Sequence, residues 1–179
     1  MGAVGNIRPA KDYSTLLRAA QLVCNDFSGD VQFEIAGEGS AEDVEALQAL
    51  RNTLGLQANV SFVGFVPDVR AFLRSLDVFV SSSVTEGLPL AVLEAAGAAC
   101  PIVATRCGGN EEVLAPAGDD SLVPPRNPEV LARAIVSALA DPHRARRSAV
   151  RVAKQVRARF SIEQMIRGYS KLYQQVIRS

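Results

Sequence analysis

Apolar runs of strand length alternate along the chain with longer segments in which apolar residues recur every three or four positions. The runs are mostly continuous, which is typical of strands that are buried on both faces of a sheet. They predict six strands, at Ala3–Asn6, Val31–Ala36, Val60–Val63, Val78–Ser81, Ile102–Ala104 and Ser121–Val123.

The segments between these runs have the period of amphipathic helices. Two apolar stripes are clear, one at Leu16, Leu17, Ala20, Val23 and Cys24, and one at Val44, Leu47, Leu50 and Leu54. N-terminal capping patterns mark four helix starts, the first of them that of the second stripe. They are Ser40 with Asp43, Asn127 before Pro128, Asp141 before Pro142, and Ser161 with Gln164.

Strands that alternate with helices predict a parallel sheet with right-handed crossovers and helices on both faces. The sequence therefore predicts an α/β, Rossmann-like three-layer domain of about six parallel strands, spanning residues 1–179. After about Asn127 only helices are predicted, packed against the flank of the sheet. The first strand is too short for the centre of a sheet, which predicts that the chain is excised from a longer protein.

Composition narrows the possible partners. The chain has 179 residues, 48% of them hydrophobic, and its 19 basic and 19 acidic side chains cancel to a formal charge of zero. Without a broad field to attract nucleic acid or an anionic membrane, the predicted partner is small and local. Cys24, Cys100 and Cys107 lie far apart, as expected for reduced packing cysteines in the cytoplasm. The sequence shows no membrane-spanning run and no signal peptide.

In such a sheet, ligands bind beyond the carboxyl ends of the strands. The first loop there carries Arg8 and Lys11 just before a helix that begins near Asp12, so these cations are candidates to hold a phosphate. Two cations that simply face solvent are the alternative. The second loop carries Gly37 and Gly39, which suit either close approach to a ligand or a plain turn.

Other nucleotide motifs are missing. The glycines of the second loop do not form GxGxxG after the first strand, and GxxxxGK[ST] does not occur, so NAD-dependent enzymes and P-loop NTPases are not supported. A fifth loop, residues 106–110, also carries glycines, which could approach a phosphate or close a turn.

Two carboxylates stand in apolar surroundings in TEGLPLAVLEAAG, residues 85–97. Glu86 lies in the loop after the fourth strand, and Glu94 lies one to two turns inside the following helix. Both are expected to face the cleft, where they could accept hydrogen bonds from the hydroxyls of a nucleotide sugar. Chance spacing and a surface ion pair for Glu94 are the alternatives.

Five segments together resemble the C-terminal half of family 4 (group 1) retaining glycosyltransferases of the B fold. They occur in the order of that family and cover nearly the whole chain. The segments are VGNIRPAKDYSTLL, FEIAGEGS, VSFVGFVPDV, SSSVTEGLPLAVLEAAGAACPIVATRCGG and SLVPPRNPEVLARAI.

The resemblance implies a domain that binds a UDP- or GDP-linked sugar, without a metal or another cofactor, and whose N-terminal acceptor domain is absent. It implies that Glu86 contacts the donor sugar, Glu94 the ribose, and Lys11 the diphosphate. Gly64 with Phe65 and Val66 would lie by the base. The remaining expected donor contacts come from the glycine-containing loops and from the start of the helix that follows the fourth strand. They are Gly5, Asn6, Gly37, Gly39, Gly87, Leu88, Pro89 and Leu90.

Charge predicts how such a site acts, because departure of the diphosphate builds up negative charge that Lys11, Arg8 and a helix N-terminus would stabilise. The expected reaction is transfer of a hexosyl group with retention of configuration by the full-length enzyme, the fragment itself being inactive. A B-fold nucleotide-sugar 2-epimerase and a non-catalytic nucleotide-binding or interaction module are the alternatives.

Two departures from the family pattern support the module alternative. Asn6 stands where members have an arginine, and Ala99 stands where they have a glycine. Arg8 is expected to replace the missing arginine.

The C-terminal helices are expected to be structural. His143 and a basic stripe on one helix should face solvent, with contact to a partner or to the inner face of the cell membrane as the alternative for the stripe. The apolar positions of the last helix are expected to serve packing, with part of that stripe exposed where the family's terminal helices cross to the other domain. The stripes are Arg144, Arg147, Arg151 and Lys154, then Met165, Ile166, Tyr169, Leu172, Tyr173 and Val176.

Overall fold

The computed structural model describes residues 1–114 and 121–177 and shows one sheet of six strands. The strands are β1 (Gly2–Val4), β2 (Phe33–Ala36), β3 (Val60–Gly64), β4 (Phe79–Ser81), β5 (Ile102–Thr105) and β6 (Leu122–Val123). All neighbours are parallel, in the order β3-β2-β1-β4-β5-β6. This confirms the predicted α/β fold and all six predicted strands, with bounds shifted by up to two residues.

One expectation about β1 was wrong. The strand has only three residues, yet it lies in the middle of the sheet, between β2 and β4. It is held on both sides, because the N–H of Gly2 donates to the carbonyl of Val78 and the N–H of Glu34 donates to that of Met1. A short strand is stable at the centre when both of its edges are paired in this way.

Eight α-helices are present in the described residues, together with a 3₁₀ turn at Pro9–Lys11. They are α1 (Tyr13–Asp26), α2 (Ala41–Thr53), α3 (Val69–Ser75), α4 (Leu90–Gly97), α5 (Gly109–Leu114), α6 (Pro128–Ala140), α7 (Pro142–Arg159) and α8 (Ile162–Ile177). The predicted caps are confirmed, since Ser40, Asn127, Asp141 and Ser161 each accept from a backbone N–H three residues on.

The helices cover the sheet on both faces. One core joins α1 and α6 to the sheet, with Val78 and Val80 of the β4 region pointing into it. The other core joins α3, α4 and α7, with Phe79 pointing into it. Successive residues of a strand point to opposite faces, which is why a continuous apolar run is needed here.

The end of α4 explains one of the departures from the family pattern. Ala99 has a φ of 56°, its N–H donates to the carbonyl of Ala96, and the N–H of Cys100 donates to that of Ala95. These bonds form a Schellman motif, whose left-handed residue is usually glycine. Alanine therefore keeps the helix end that glycine favours, at some cost in backbone strain.

The last helix differs from one expectation. No residue of α8 is buried, and its apolar face is largely exposed, with Met165, Tyr169 and Leu172 each more than half accessible. The prediction that this face packs within the chain was wrong, whereas its partial exposure was expected. His143 and the basic stripe of α7 are exposed, as predicted.

Candidate functional site

The site lies where the direction of the chain crossovers reverses. From β1 the chain continues to β2 on one side, whereas from β4 it continues to β5 on the other, and β1 and β4 are neighbours. The loops after these two strands therefore diverge and leave a crevice, the usual ligand position in open α/β sheets. Lys11 follows β1 and Glu86 follows β4.

Lys11 and Glu86 contact each other directly. The Nζ of Lys11 lies 2.7 Å from Oε1 of Glu86, and the two side chains are only 15% and 7% exposed. The hydroxyl of Ser83 donates to the same carboxylate oxygen at 2.7 Å. The cavity that the pair lines has a volume of only about 10 Å³, so the two groups fill the crevice between the loops themselves.

The loop that carries Lys11 is fixed from three sides. The hydroxyl of Ser82 donates to the carbonyl of Lys11, and the N–H of Val84 donates to that of Ala10. The hydroxyl of Tyr13 donates to the carbonyl of Gly5. Burial, and then the nearby charge of Glu86, raise the pKa of Tyr13, so the phenol stays protonated.

The loop that carries Glu86 rests on the glycines of the fifth loop. A Cβ on Gly108 would lie 2.1 Å from the carbonyl oxygen of Glu86, and one on Gly109 would lie 2.0 Å from that of Gly87. The N–H of Gly109 also donates to the carbonyl of Glu86. These glycines therefore permit close backbone approach between two loops.

Sequence reasoning missed the polar residues behind Glu86. Thr105 is fully buried and its hydroxyl donates to the carbonyl of Ser83. Asn110 is also fully buried and donates to the carbonyl of Thr105. The available signal was a run of hydroxyl residues, Ser81 to Ser83, that ends three positions before the glutamate.

The glycines of the second loop also have a packing role. A Cβ on Gly37 would lie 2.0 Å from the carbonyl oxygen of Gly5, and one on Gly39 would lie 2.5 Å from that of Ile7. The plain-turn alternative accounts for both, because they bring the loops after β1 and β2 together. Their contact with a ligand stays a prediction.

Glu94 is separate from the Lys11–Glu86 pair. It lies exposed on α4 in a groove of about 460 Å³ that Val69, Arg70 and Arg157 also line. No ion pair of Glu94 occurs among residues 1–114 and 121–177. Most of the other expected donor contacts are accessible. Phe65, Leu88 and Leu90 are all more than half exposed, and Asn6 and Gly87 are exposed. Val66 is half-buried, whereas Pro89, the N-cap of α4, is buried.

Arg8 and Lys11 line different cavities. Arg8 is the N-cap of the 3₁₀ turn, with an extended backbone at φ −156° and ψ 158°. Its side chain lines a different groove, of about 500 Å³, together with Arg126. A contact of Arg8 with a donor diphosphate stays a prediction.

The described part of the chain lacks the features of two other kinds of site. It contains no group of three or more histidine, cysteine, aspartate or glutamate side chains that could hold a metal ion. Within the same residues, no helix has the length and apolar character needed to cross a bilayer.

Comparison with known proteins gives consistent matches. A family model described as Glycosyl transferases group 1 matches residues 1–141. The lipopolysaccharide core biosynthesis mannosyltransferase LpcC of Rhizobium leguminosarum bv. viciae is 27% identical over 180 residues, or 99% of this chain and 51% of that protein. The glycosyltransferase LpsE of Rhizobium meliloti is 33% identical over 95% of this chain and 48% of its own length.

A solved structure shows the same fold. Anabaena Alr3699/HepE in complex with UDP-glucose superposes with a TM-score of 0.89 at 21% identity, over 97% of this chain and 48% of that one. The chain thus spans about half the length of the proteins it matches. From the family match over most of its length, this chain belongs to the group 1 glycosyl transferases.

Proposed function

We propose that residues 1–179 form the donor-binding domain of a retaining glycosyltransferase, which binds a nucleoside-diphosphate sugar in the crevice between the β1 and β4 loops. One observation carries this proposal: a buried cation and a buried carboxylate, Lys11 and Glu86, meet at the switch point of the sheet. HepE, which has the same fold, binds UDP-glucose. Relatives of twice the length support an acceptor domain elsewhere in the whole protein.

Each group has a task in the proposed complex. The ammonium of Lys11 offsets the negative charge that builds up on the diphosphate as the anomeric bond breaks. Glu86 accepts hydrogen bonds from the sugar, and Ser83 keeps its carboxylate in position. Because Lys11 and Glu86 contact each other directly, binding of the donor requires Lys11 to turn from Glu86 toward the diphosphate.

The structure weakens one argument for a non-catalytic module. Ala99 keeps the left-handed helix end that a glycine would give, so this departure leaves α4 unchanged. The missing arginine at Asn6 remains the one sequence feature in favour of that alternative. Product analysis of the whole protein, by the anomeric proton coupling of the product, distinguishes a retaining transferase from a 2-epimerase, which transfers no sugar.

The first experiment is an NMR titration of the chain with UDP, GDP, ADP and their sugar conjugates. Replacing one member of a buried ion pair leaves an uncompensated charge that costs about 3–5 kcal/mol. The double variant Lys11→Met with Glu86→Gln avoids this and should bind the preferred nucleotide at least tenfold more weakly. Glu94→Gln, at an exposed position, should also weaken the binding of every nucleoside diphosphate.

Glu45→Gln is the matched control, because Glu45 is exposed on α2 and away from the crevice. It should bind like the unchanged chain. Unchanged nucleotide affinity in the double variant, with its fold confirmed by circular dichroism, would contradict the proposal. So would the lack of any binding at millimolar nucleotide.

A further inference from the structure

The groove lined by Arg8 and Arg126 is a second feature of the same edge of the sheet. It has a volume of about 500 Å³ and is formed by the loop after β1, the first turns of α1 and α2, Val84 of the β4 loop, and Arg126 of the β6 loop. It is separated from the Lys11–Glu86 pair by the 3₁₀ turn at Pro9–Lys11. Such a turn rises about 2 Å per residue, so the groove and the pair are neighbouring but distinct places.

The groove contains two guanidinium groups and two carboxylates. Its two carboxylates already accept hydrogen bonds, Asp12 from Ser14 and Thr15, and Asp43 from Ser40. Within residues 1–114 and 121–177, the two guanidinium groups have no ion pair. Both guanidinium groups therefore keep hydrogen-bond donors for a ligand, beside two carboxylates that balance their charge.

The backbone of Arg126 is a second, independent observation. Its φ is 57°, in the left-handed region, and it follows Pro125 in the turn before α6. Glycine or asparagine suits that place better, because other side chains are strained there. An arginine kept at a strained position, on the rim of a groove, indicates a role for its side chain.

We propose that Arg8 and Arg126 bind a phosphate monoester of a sugar, at a site distinct from the donor diphosphate site. Guanidinium groups match phosphate oxygens in pairs, and the apolar side chains of Leu47 and Val84 offer a surface for the sugar ring. That this phosphate is carried by the acceptor rests on the proposed function. Arg8 then belongs to this second site, and Lys11 alone supplies the cation for the donor.

The test follows the arginine Nε–Hε signals of the whole chain by NMR during titration with inorganic phosphate, glucose 6-phosphate and UDP. We expect both phosphates to shift the signals of Arg8 and Arg126, with the sugar phosphate binding more tightly than inorganic phosphate. We expect UDP to shift neither signal. Arg126→Gly and Arg8→Gln should each weaken phosphate binding about tenfold, the effect of one charge-assisted hydrogen bond.

The variants separate binding from folding. Arg126→Gly removes the strain at φ 57°, so its melting temperature should equal or exceed that of the unchanged chain even though phosphate binding is weakened. Arg126→Asn should behave in the same way. Arg74→Gln, at an exposed arginine of α3, is the control and should bind phosphate normally.

Five results decide between the possibilities. Phosphate that shifts neither signal, or that binds equally to Arg126→Gly, would overturn it. UDP that shifts both signals and competes with phosphate would also overturn it, by placing these arginines in the donor site. Equal affinity for the two phosphates would overturn the sugar assignment. Phosphate binding without any UDP binding would support this site while contradicting the proposed function, so the two failures are distinguishable.

Discussion

Ala99 shows that a backbone conformation can persist without the residue that favours it most. The hydrogen bonds from Ala99 and Cys100 back to α4 close the helix and fix φ at 56°. The sequence showed that alanine replaces the glycine of the family pattern at this position, but it could not predict the conformation of the helix end. A changed helix end and a strained alanine were both compatible with the pattern. The helix end is preserved, and the strain is therefore local.

We predict that Ala99→Gly raises the free energy of unfolding by about 0.5–1 kcal/mol, because glycine adopts the left-handed conformation without a Cβ clash. Chemical denaturation measures the change. Ala98→Gly is the control, since Ala98 has a right-handed φ of −77° and glycine there should destabilise the chain. Equal destabilisation by the two substitutions would show that Ala99 is not strained.

The buried thiol of Cys100 predicts how the free energy of unfolding depends on alkaline pH. Burial raises the pKa of Cys100 to about 11, from an ordinary value of 9.0. The stabilisation that comes with the neutral thiol is complete below pH 9 and is lost as the pH rises through 11. At about 1.4 kcal/mol for each pKa unit, the loss amounts to roughly 2–3 kcal/mol.

The free energy of unfolding, measured by denaturation between pH 8 and 10.5, should therefore fall less steeply in Cys100→Ser than in the unchanged chain. Cys24, which is only half-buried, should react first with a thiol reagent at pH 8, and Cys100 last. Identical pH slopes for the two proteins would contradict the assignment to Cys100.

At the scale of elements, the sequence predicted what local patterns encode. Continuous apolar runs marked all six strands, and capping residues marked the starts of α2, α6, α7 and α8. It did not predict α3, which has seven residues and a single buried side chain, Leu73, because so short a stretch shows little period. The glycines of the loops were found, but their neighbours were not, since contact between loops is a tertiary property.

The same limit applies to the site. Lys11 and Glu86 were predicted separately, one from the first loop and one from the fourth, and their direct contact depends on β1 and β4 being neighbours. Arg8 and Lys11 were expected to act together. They diverge because Arg8 is the extended cap of the turn, not a member of it.

The contact between the β4 and β5 loops predicts that even small side chains at its glycines strongly lower the free energy of unfolding. Gly109→Ala places a methyl group against the carbonyl of Gly87 and should lower the free energy of unfolding by about 2 kcal/mol or more. Gly108→Ala should do the same, with added strain from its φ of 44°. Thermal denaturation measures both effects.

Gly168→Ala is the matched control, because Gly168 is helical and a Cβ there meets nothing within 4 Å. It should be neutral or slightly stabilising. If Gly109→Ala were as stable as this control, the close approach of the two loops would not be required for folding.

At the scale of the whole molecule, the two cores account for α1 to α7 but leave α8 outside. Its exposed face includes the stacked rings of Tyr169 and Tyr173, whose centroids are 6.3 Å apart. The family resemblance implies that such a helix contacts the other domain, and for this chain that contact stays a prediction.

A chain that ends at Ser161 should therefore fold as before, with a free energy of unfolding within about 1 kcal/mol of the full chain, because α8 contributes no buried residue. It should also bind less of the dye ANS, which reports exposed apolar surface. By contrast, Val156→Ala on α7, a buried position, should cost about 0.5–3 kcal/mol. Unfolding of the shortened chain would show that α8 supports the cores.

The glycine contact between the β4 and β5 loops also limits how such a domain can be recombined. A chimera that received the Glu86 loop from a relative, but kept its own β5 loop, would bring together two loop backbones whose shapes do not match. Their close approach at Gly108 and Gly109 leaves no room for such a mismatch. Transplanting residues 82–90 together with 105–110 keeps both partners of that contact. For the proposed donor site, the unit of exchange is thus a pair of loops from adjacent strands.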